Sequence, residues 1–161
     1  MDGRIDIGAL YRSYGHSVLR RARQILGSDA DARDVLHEIF AELVSRPQQF
    51  GGKSAPSTFL YAATTNACLQ RLRDHKNRVR LLAEHVKPWT TDVDPRTADA
   101  RVLVRAVLAE LPEDEARAAV YCHLDGMSHA EVAEVLDCSP RHVGDLLART
   151  TERLRDHKEA S

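Results

Sequence analysis

Residues 128–150 read SHAEVAEVLDCSPRHVGDLLART, and this stretch decides the fold. Ser128 and Glu131 stand as S-x-x-E ahead of an apolar run. In that arrangement a hydroxyl and a carboxylate each satisfy a backbone N–H that a helix start leaves open. The helix so opened closes near Asp137. Ser139-Pro140 then caps and opens another, since a proline's fixed φ suits the first helical turn. Val132, Val135 and Leu136 point inward from the first helix, and Val143, Leu146 and Leu147 from the second. Ala133 falls where the two cross and only a small side chain fits. Two short capped helices joined by a tight turn follow the helix-turn-helix plan. Asp137 holds the turn position where glycine is usual, and aspartate reaches the left-handed region at moderate cost.

In such a module the second helix enters the major groove of duplex DNA with its first residues near base edges. Ser139 caps that end, and Arg141, His142 and Asp145 are the candidate readers. Arginine can read guanine bidentately and aspartate can accept from cytosine N4. Arg149, Arg153 and Arg155 are candidates for phosphate contacts. The bland alternative is a helical hairpin with solvated charges.

Outward from this stretch nearly everything reads as helix, and no segment alternates apolar and polar as a half-buried strand does. A first helix is expected from Asp6 to Leu26, ended by Gly27. Ser28 caps a second, with Ala32, Leu36, Ile39, Phe40 and Leu43 as its buried stripe, and Pro47 ends it. Gln48 to Pro56 is a loop. Ser57 then caps a long third helix reaching His85, whose inner face carries Tyr61, Cys68 and Leu72. Residues 87–99, with Pro88, Trp89, Thr90, Thr91 and Pro95, read as a linker. Beyond it one helix covers Arg101 to Glu110. Pro112 opens another that reaches Leu124, Asp125-Gly126 turns, and the last helix runs to about Arg155. The expected fold is all-α: two small helical domains, 1–86 and 101–161, joined by a flexible linker at 87–100.

Composition narrows the function. No apolar run approaches the ~20 residues of a membrane helix, and the start lacks a signal-peptide layout, so a cytoplasmic protein without membrane insertion is expected. Three distant cysteines, Cys68, Cys122 and Cys138, do not make a disulfide framework. Cys122, His123, Cys138 and His142 fit no common zinc spacing. Gly52-Lys53-Ser54 resembles the end of a phosphate-binding loop, but Pro47 stands where that loop needs glycine. No enzyme, cofactor, metal or small-molecule substrate is called for. Residues 1–80 hold 13 basic against 8 acidic side chains and residues 111–161 hold 6 against 11, so the two ends are suited to different partners. The acidic back half also argues against tight, independent DNA binding.

The front half resembles region 2 of the extracytoplasmic-function sigma factors of RNA polymerase, in the sigma-70 family. The resemblance rests on Leu10-Tyr11-x-x-Tyr14-Gly15, Ile25-Leu26-Gly27, Asp31 to Phe40, Phe59-Leu60-Tyr61 and Asn66 to Arg73. The back half is similar to region 4 at Leu111-Pro112, Leu124 to Ser128, Glu131 to Leu136 and Ser139 to Arg155. The resemblance implies an alternative sigma factor, with core polymerase (the largest-subunit clamp helices and the flap), promoter DNA and an anti-sigma factor as partners. It assigns polymerase binding to Asp34, His37 and Glu38, which share a helix face by spacing; His37 stands where the family usually has glutamine. It assigns −10 recognition and melting to Phe50, Lys53, Ser57, Phe59, Asn66, Arg71, Arg73 and Lys76. The −35 duplex falls to Ser139, Arg141, His142, Asp145 and Arg149. Phe59 replaces a common tryptophan. Ala62 and Thr65 replace frequent arginines, which implies the loss of two phosphate contacts. Two other readings survive: a sigma-like decoy that binds an anti-sigma factor, and a stand-alone helix-turn-helix regulator.

Overall fold

The computed structural model describes residues 5–52, 54–85 and 100–160. Seven α-helices and no strand occur among them. The expected linker segment 87–99, with Trp89, and the loop residue Lys53 lie outside the described residues. The chain divides into two compact units, Met1–Cys68 and Leu69–Ser161.

In the first unit, α1 (Ile7–Leu26) begins where the Asp6 carboxylate accepts the Ala9 N–H at 3.0 Å. It ends at Gly27, whose φ of 67° is a left-handed closure. Helix α2 (Asp29–Ser45) begins where the Ser28 hydroxyl accepts the Asp31 N–H at 3.2 Å, with Asp29 and Asp31 favourable in its first turn. Val18, Ala22, Ile25 and Leu26 of α1 are buried, as are Ala32, Val35, Leu36, Ile39, Phe40 and Leu43 of α2, and the two helices pack together. All five residues of the expected stripe are buried, with Val35 as a sixth. Tyr11 meets the Phe40 ring edge-on, 5.0 Å between centroids. Pro47 opens a single 3₁₀ turn, Pro47–Gln49.

Helix α3 (Pro56–His85) opens one residue before the expected cap, so Ser57 lies inside the first turn. Pro56 fits that opening because its φ is already helical and its missing N–H is not needed there. The inner face is centred on Leu60, Thr64, Thr65, Cys68 and Leu69, all buried. Tyr61 and Leu72 sit half-buried at its margins.

The second unit holds α4 (Ala100–Glu110), α5 (Glu113–Ala119), α6 (His129–Leu136) and α7 (Pro140–Glu159). Pro112 is the residue before α5 rather than its first. The helix expected to reach Leu124 changes character at Val120–Leu124, where it widens into a π turn and the Asp125 N–H reaches the Val120 carbonyl at 3.1 Å. Helix α7 extends past the expected Arg155 to Glu159. Helices α5 and α6 both pack on α7, around Ala116, Val120, Tyr121, Val132, Ala133, Val143 and Leu146. Val135, Leu136 and Leu147, expected inward, are only half-buried.

The α1–α2 contact sets the cost of cavities in the first unit. Leu43 is 2% exposed. Leu43→Ala is expected to lower stability by about 3 kcal/mol, read as a shift in the urea midpoint.

Candidate functional site

Three groups of side chains carry the chemistry. The first is on α2. Asp34, His37 and Glu38 are all exposed, while Val35, Leu36, Ile39 and Phe40 between and beside them are buried. Helical periodicity therefore presents one mixed acidic and imidazole ridge outward.

The second group lies where α2 faces the start of α3. A groove of about 400 Å³ is lined along α2 by Glu38, Ile39 and Glu42, and along α3 by Phe59, Ala62 and Asn66. Phe59 meets Phe50 edge-on at 5.3 Å, which ties the loop to the helix. The Asn66 side-chain carbonyl is buried with no hydrogen-bond partner among the described residues, and so is one terminal nitrogen of Arg73. A buried polar atom left unmet costs about 1–3 kcal/mol, so such atoms call for an explanation. Phe59 and Asn66 thus come together as their spacing predicts, and Glu38 reaches the same groove. Phe50 is half-buried, Arg71 and Arg73 are half-buried, and Ser57 and Lys76 are exposed.

Thr65 corrects an expectation. It is fully buried, and its hydroxyl accepts the Nε–H of Arg21 at 3.0 Å while donating to the Tyr61 carbonyl. The Arg21 guanidinium lies 3.7 Å from the Tyr61 ring centroid. The side chain at position 65 faces the interior. Ala62 instead opens the groove. Sequence reasoning missed Arg21, Glu42 and Gln49. The bond from Gln49 Nε2 to Glu42 Oε1, at 3.0 Å, forms only because the 3₁₀ turn folds back on α2.

The third group is on α6 and α7. The capping box is formed: Glu131 accepts the Ser128 N–H at 2.7 Å and the Ser128 hydroxyl accepts the Glu131 N–H at 3.3 Å. The Ser128 backbone N–H foremost, and then its hydroxyl, hold the Glu131 carboxyl below its ordinary value of 4.5. Asp137 closes α6 at φ 53° and ψ 52°, the one left-handed non-glycine residue among those described. The Ser139 hydroxyl then accepts the His142 N–H at 3.1 Å and starts α7. Arg141, His142, Asp145 and Arg149 are exposed, and Val143 and Leu146 are buried between them. Arg153 is not simply solvated: its Nε donates to the buried carboxylate of Glu115 at 2.9 Å. No spacing rule pointed to Glu115, which lies 38 residues away.

No group of three or more His, Cys, Asp or Glu side chains arranged to hold a metal ion occurs among the described residues. No described helix is long and apolar enough to cross a membrane. The three cysteines are free, and burial pushes the Cys122 thiol up.

Two family models match in order along the chain: Sigma-70 region 2 over residues 10–78 and Sigma-70 region 4 over residues 101–154. The ECF RNA polymerase sigma factor SigM of Mycobacterium tuberculosis is 30% identical over 147 residues, spanning 90% of this chain and 73% of that protein. The chain belongs to the extracytoplasmic-function sigma factors. The ECF RNA polymerase sigma-E factor of Escherichia coli is 27% identical over 163 residues, covering 88% of this chain and 80% of its own. As a sigma factor, the protein binds core RNA polymerase and promoter DNA and directs transcription initiation. Sigma factors are initiation factors rather than enzymes. The helix-turn-helix of this sigma factor spans α6 and α7, and the region 4 match covers it up to residue 154.

Two outcomes follow from the geometry of this module. Asp137→Val places a β-branched side chain at positive φ and is expected to cost about 1 kcal/mol, measured by urea unfolding. Glu131 has a depressed pKa in the folded state. Its contribution is therefore present above the ordinary 4.5 and lost as pH falls through the lowered value. Thermal scans from pH 6 to 3 should show a steeper acid loss for the wild type than for Glu131→Gln.

Proposed function

We propose that residues 1–86 bind core polymerase and open the −10 element, and that residues 101–161 bind the −35 duplex. The segment 87–100 would link them. The observation that carries the polymerase assignment is the exposed Asp34, His37 and Glu38 ridge, set directly behind the buried stripe of α2. Acids on an outward helix face suit a basic partner, here the clamp helices of the largest subunit. Helix α7 is assigned to the major groove, with Arg141, His142 and Asp145 at base edges and Arg149 on phosphate.

The α2–α3 groove is assigned to the displaced non-template strand. Its support is the Phe59 ring as a stacking surface and the unmet Asn66 carbonyl as an acceptor for a base amino group. Phe50 and Ser57 flank it in the loop and the first turn of α3, and Lys53 is assigned to the same strand from the sequence. Arg71, Arg73 and Lys76 supply charge for the backbone along α3. An anti-sigma factor that covers these surfaces, docking of the 101–161 domain on the polymerase flap, and a cytoplasmic location complete the proposal. The acidic balance of residues 111–161 means that −35 affinity comes from both ends being held on one polymerase.

Run-off transcription with purified core polymerase and a pool of genomic promoter fragments tests this directly. Transcripts that appear only when the protein is added, with starts that align to two promoter elements, are the expected result. Their absence, alongside tight capture of an anti-sigma factor, would favour the decoy. The double variant Asp34→Ala, Glu38→Ala is expected to lose core binding by at least about tenfold while its circular dichroism melt stays unchanged. Normal core binding by that variant would remove the clamp assignment.

A further inference from the structure

Glu115 is 3% exposed, yet it sits in the first turn of a short amphipathic helix where carboxylates normally face water. A buried carboxylate needs a cationic partner to offset its lost hydration. Arg153 provides it: the guanidinium Nε donates to Glu115 Oε2 at 2.9 Å, joining α5 to α7.

The position of this bond along α7 matters. Val143, Leu146 and Thr150 are the buried side chains of α7, and all lie within its first eleven residues. From Thr151 onward every described side chain of the helix is exposed, Arg153 included, with its side chain 56% exposed. The Arg153–Glu115 pair is therefore a polar anchor for the end of α7, where no described side chain is buried and Leu154 faces Val107 and Leu111 across a cavity. Arg149, one turn earlier, is also exposed but carries no such bond to α5.

We infer that Arg153 is a positioning residue for the recognition helix, acting through Glu115, and not a phosphate ligand. The paired carboxylate cancels its charge, so it releases no counterion on DNA binding. The inference rests on the proposal that α7 binds the −35 duplex. It reverses the sequence-based assignment of Arg153 to phosphate.

The two roles predict opposite signs. Glu115→Gln makes the chain more positive by one charge and frees Arg153. A phosphate ligand so freed would tighten duplex binding, whereas a positioning residue deprived of its anchor would weaken it by about threefold. Arg153→Gln should weaken binding without changing the salt dependence. Loss of a true phosphate contact would lower the slope of log K against log salt by about 0.9. Arg149→Gln serves as the positive control for that change.

The experiment uses the holoenzyme, the full chain bound to core polymerase, and a fluorescently labelled promoter duplex taken from the run-off set, with anisotropy titrations at several salt concentrations. Hydrogen exchange along α7 is followed in the same variants. Glu115→Gln and Arg153→Gln should each speed exchange beyond residue 150, and the double variant should do so no more than either alone. Tighter binding by Glu115→Gln, a slope reduced in Arg153→Gln, or additive effects on exchange would each overturn the inference. If the wild type binds no duplex at any salt concentration, the −35 assignment fails instead. The exchange data then decide whether the anchor itself exists.

Discussion

A hydrogen bond from one backbone N–H to one side-chain oxygen, repeated at four helix starts, is the constraint on which this protein rests. Asp6, Ser28, Ser128 and Ser139 each accept from the N–H three residues on. The cap fixes the residue at which helical rotation begins, and so fixes which side chains face in. On α2, starting at Asp29 turns six apolar residues inward and leaves Asp34, His37 and Glu38 outside. On α7, starting at Pro140 buries Val143 and Leu146 and exposes the residues around them. In domains too small to bury much apolar surface, the functional faces are by-products of where the caps stand.

Charge inside the two units is handled differently. Arg21 is buried against an aromatic ring and a threonine hydroxyl, a cation met partly by a π-face and a neutral oxygen. Glu115 is buried against a full guanidinium. The first arrangement leaves the polar group of α3 facing inward at Thr65. The second commits a basic residue to internal structure.

Much of this was legible in the sequence, and the reasons are local. The Ser128–Glu131 capping box, the Ser28 and Ser139 caps, the left-handed Gly27 and the apolar stripe of α2 are written within a few residues of where they act and were found in place, whereas Ser57 is not a cap. The all-α fold and the family followed from them. Local rules also explain the small misplacements. Proline fits both just before a helix and at its first position, so the start of α3 moved by two residues at Pro56 and that of α5 by one at Pro112. The π turn at Val120–Leu124 carries no sequence mark at all, since any five residues with helical preference can widen. Arg21, Glu115 and the Glu42–Gln49 bond were missed because each depends on a partner brought close by packing. In the candidate site, spacing alone put Phe59 and Asn66 on one face, but only the fold put Glu38 beside them.

Helix α3 spans 30 residues, about 45 Å at 1.5 Å per residue. Its buried side chains end at Leu69, and every described side chain from Asp74 onward is exposed. Five basic residues, Arg71, Arg73, Lys76, Arg78 and Arg80, crowd this stretch at spacings that set like charges one turn apart. Such a segment works against its own helicity, and a polyanion laid along it relieves that repulsion while gaining contacts. Under the proposed −10 role, the extent of the helix and its occupancy by a nucleic-acid backbone are linked variables. Dissolved salt acts on both at once, screening the self-repulsion that opposes the helix and the attraction that holds the strand.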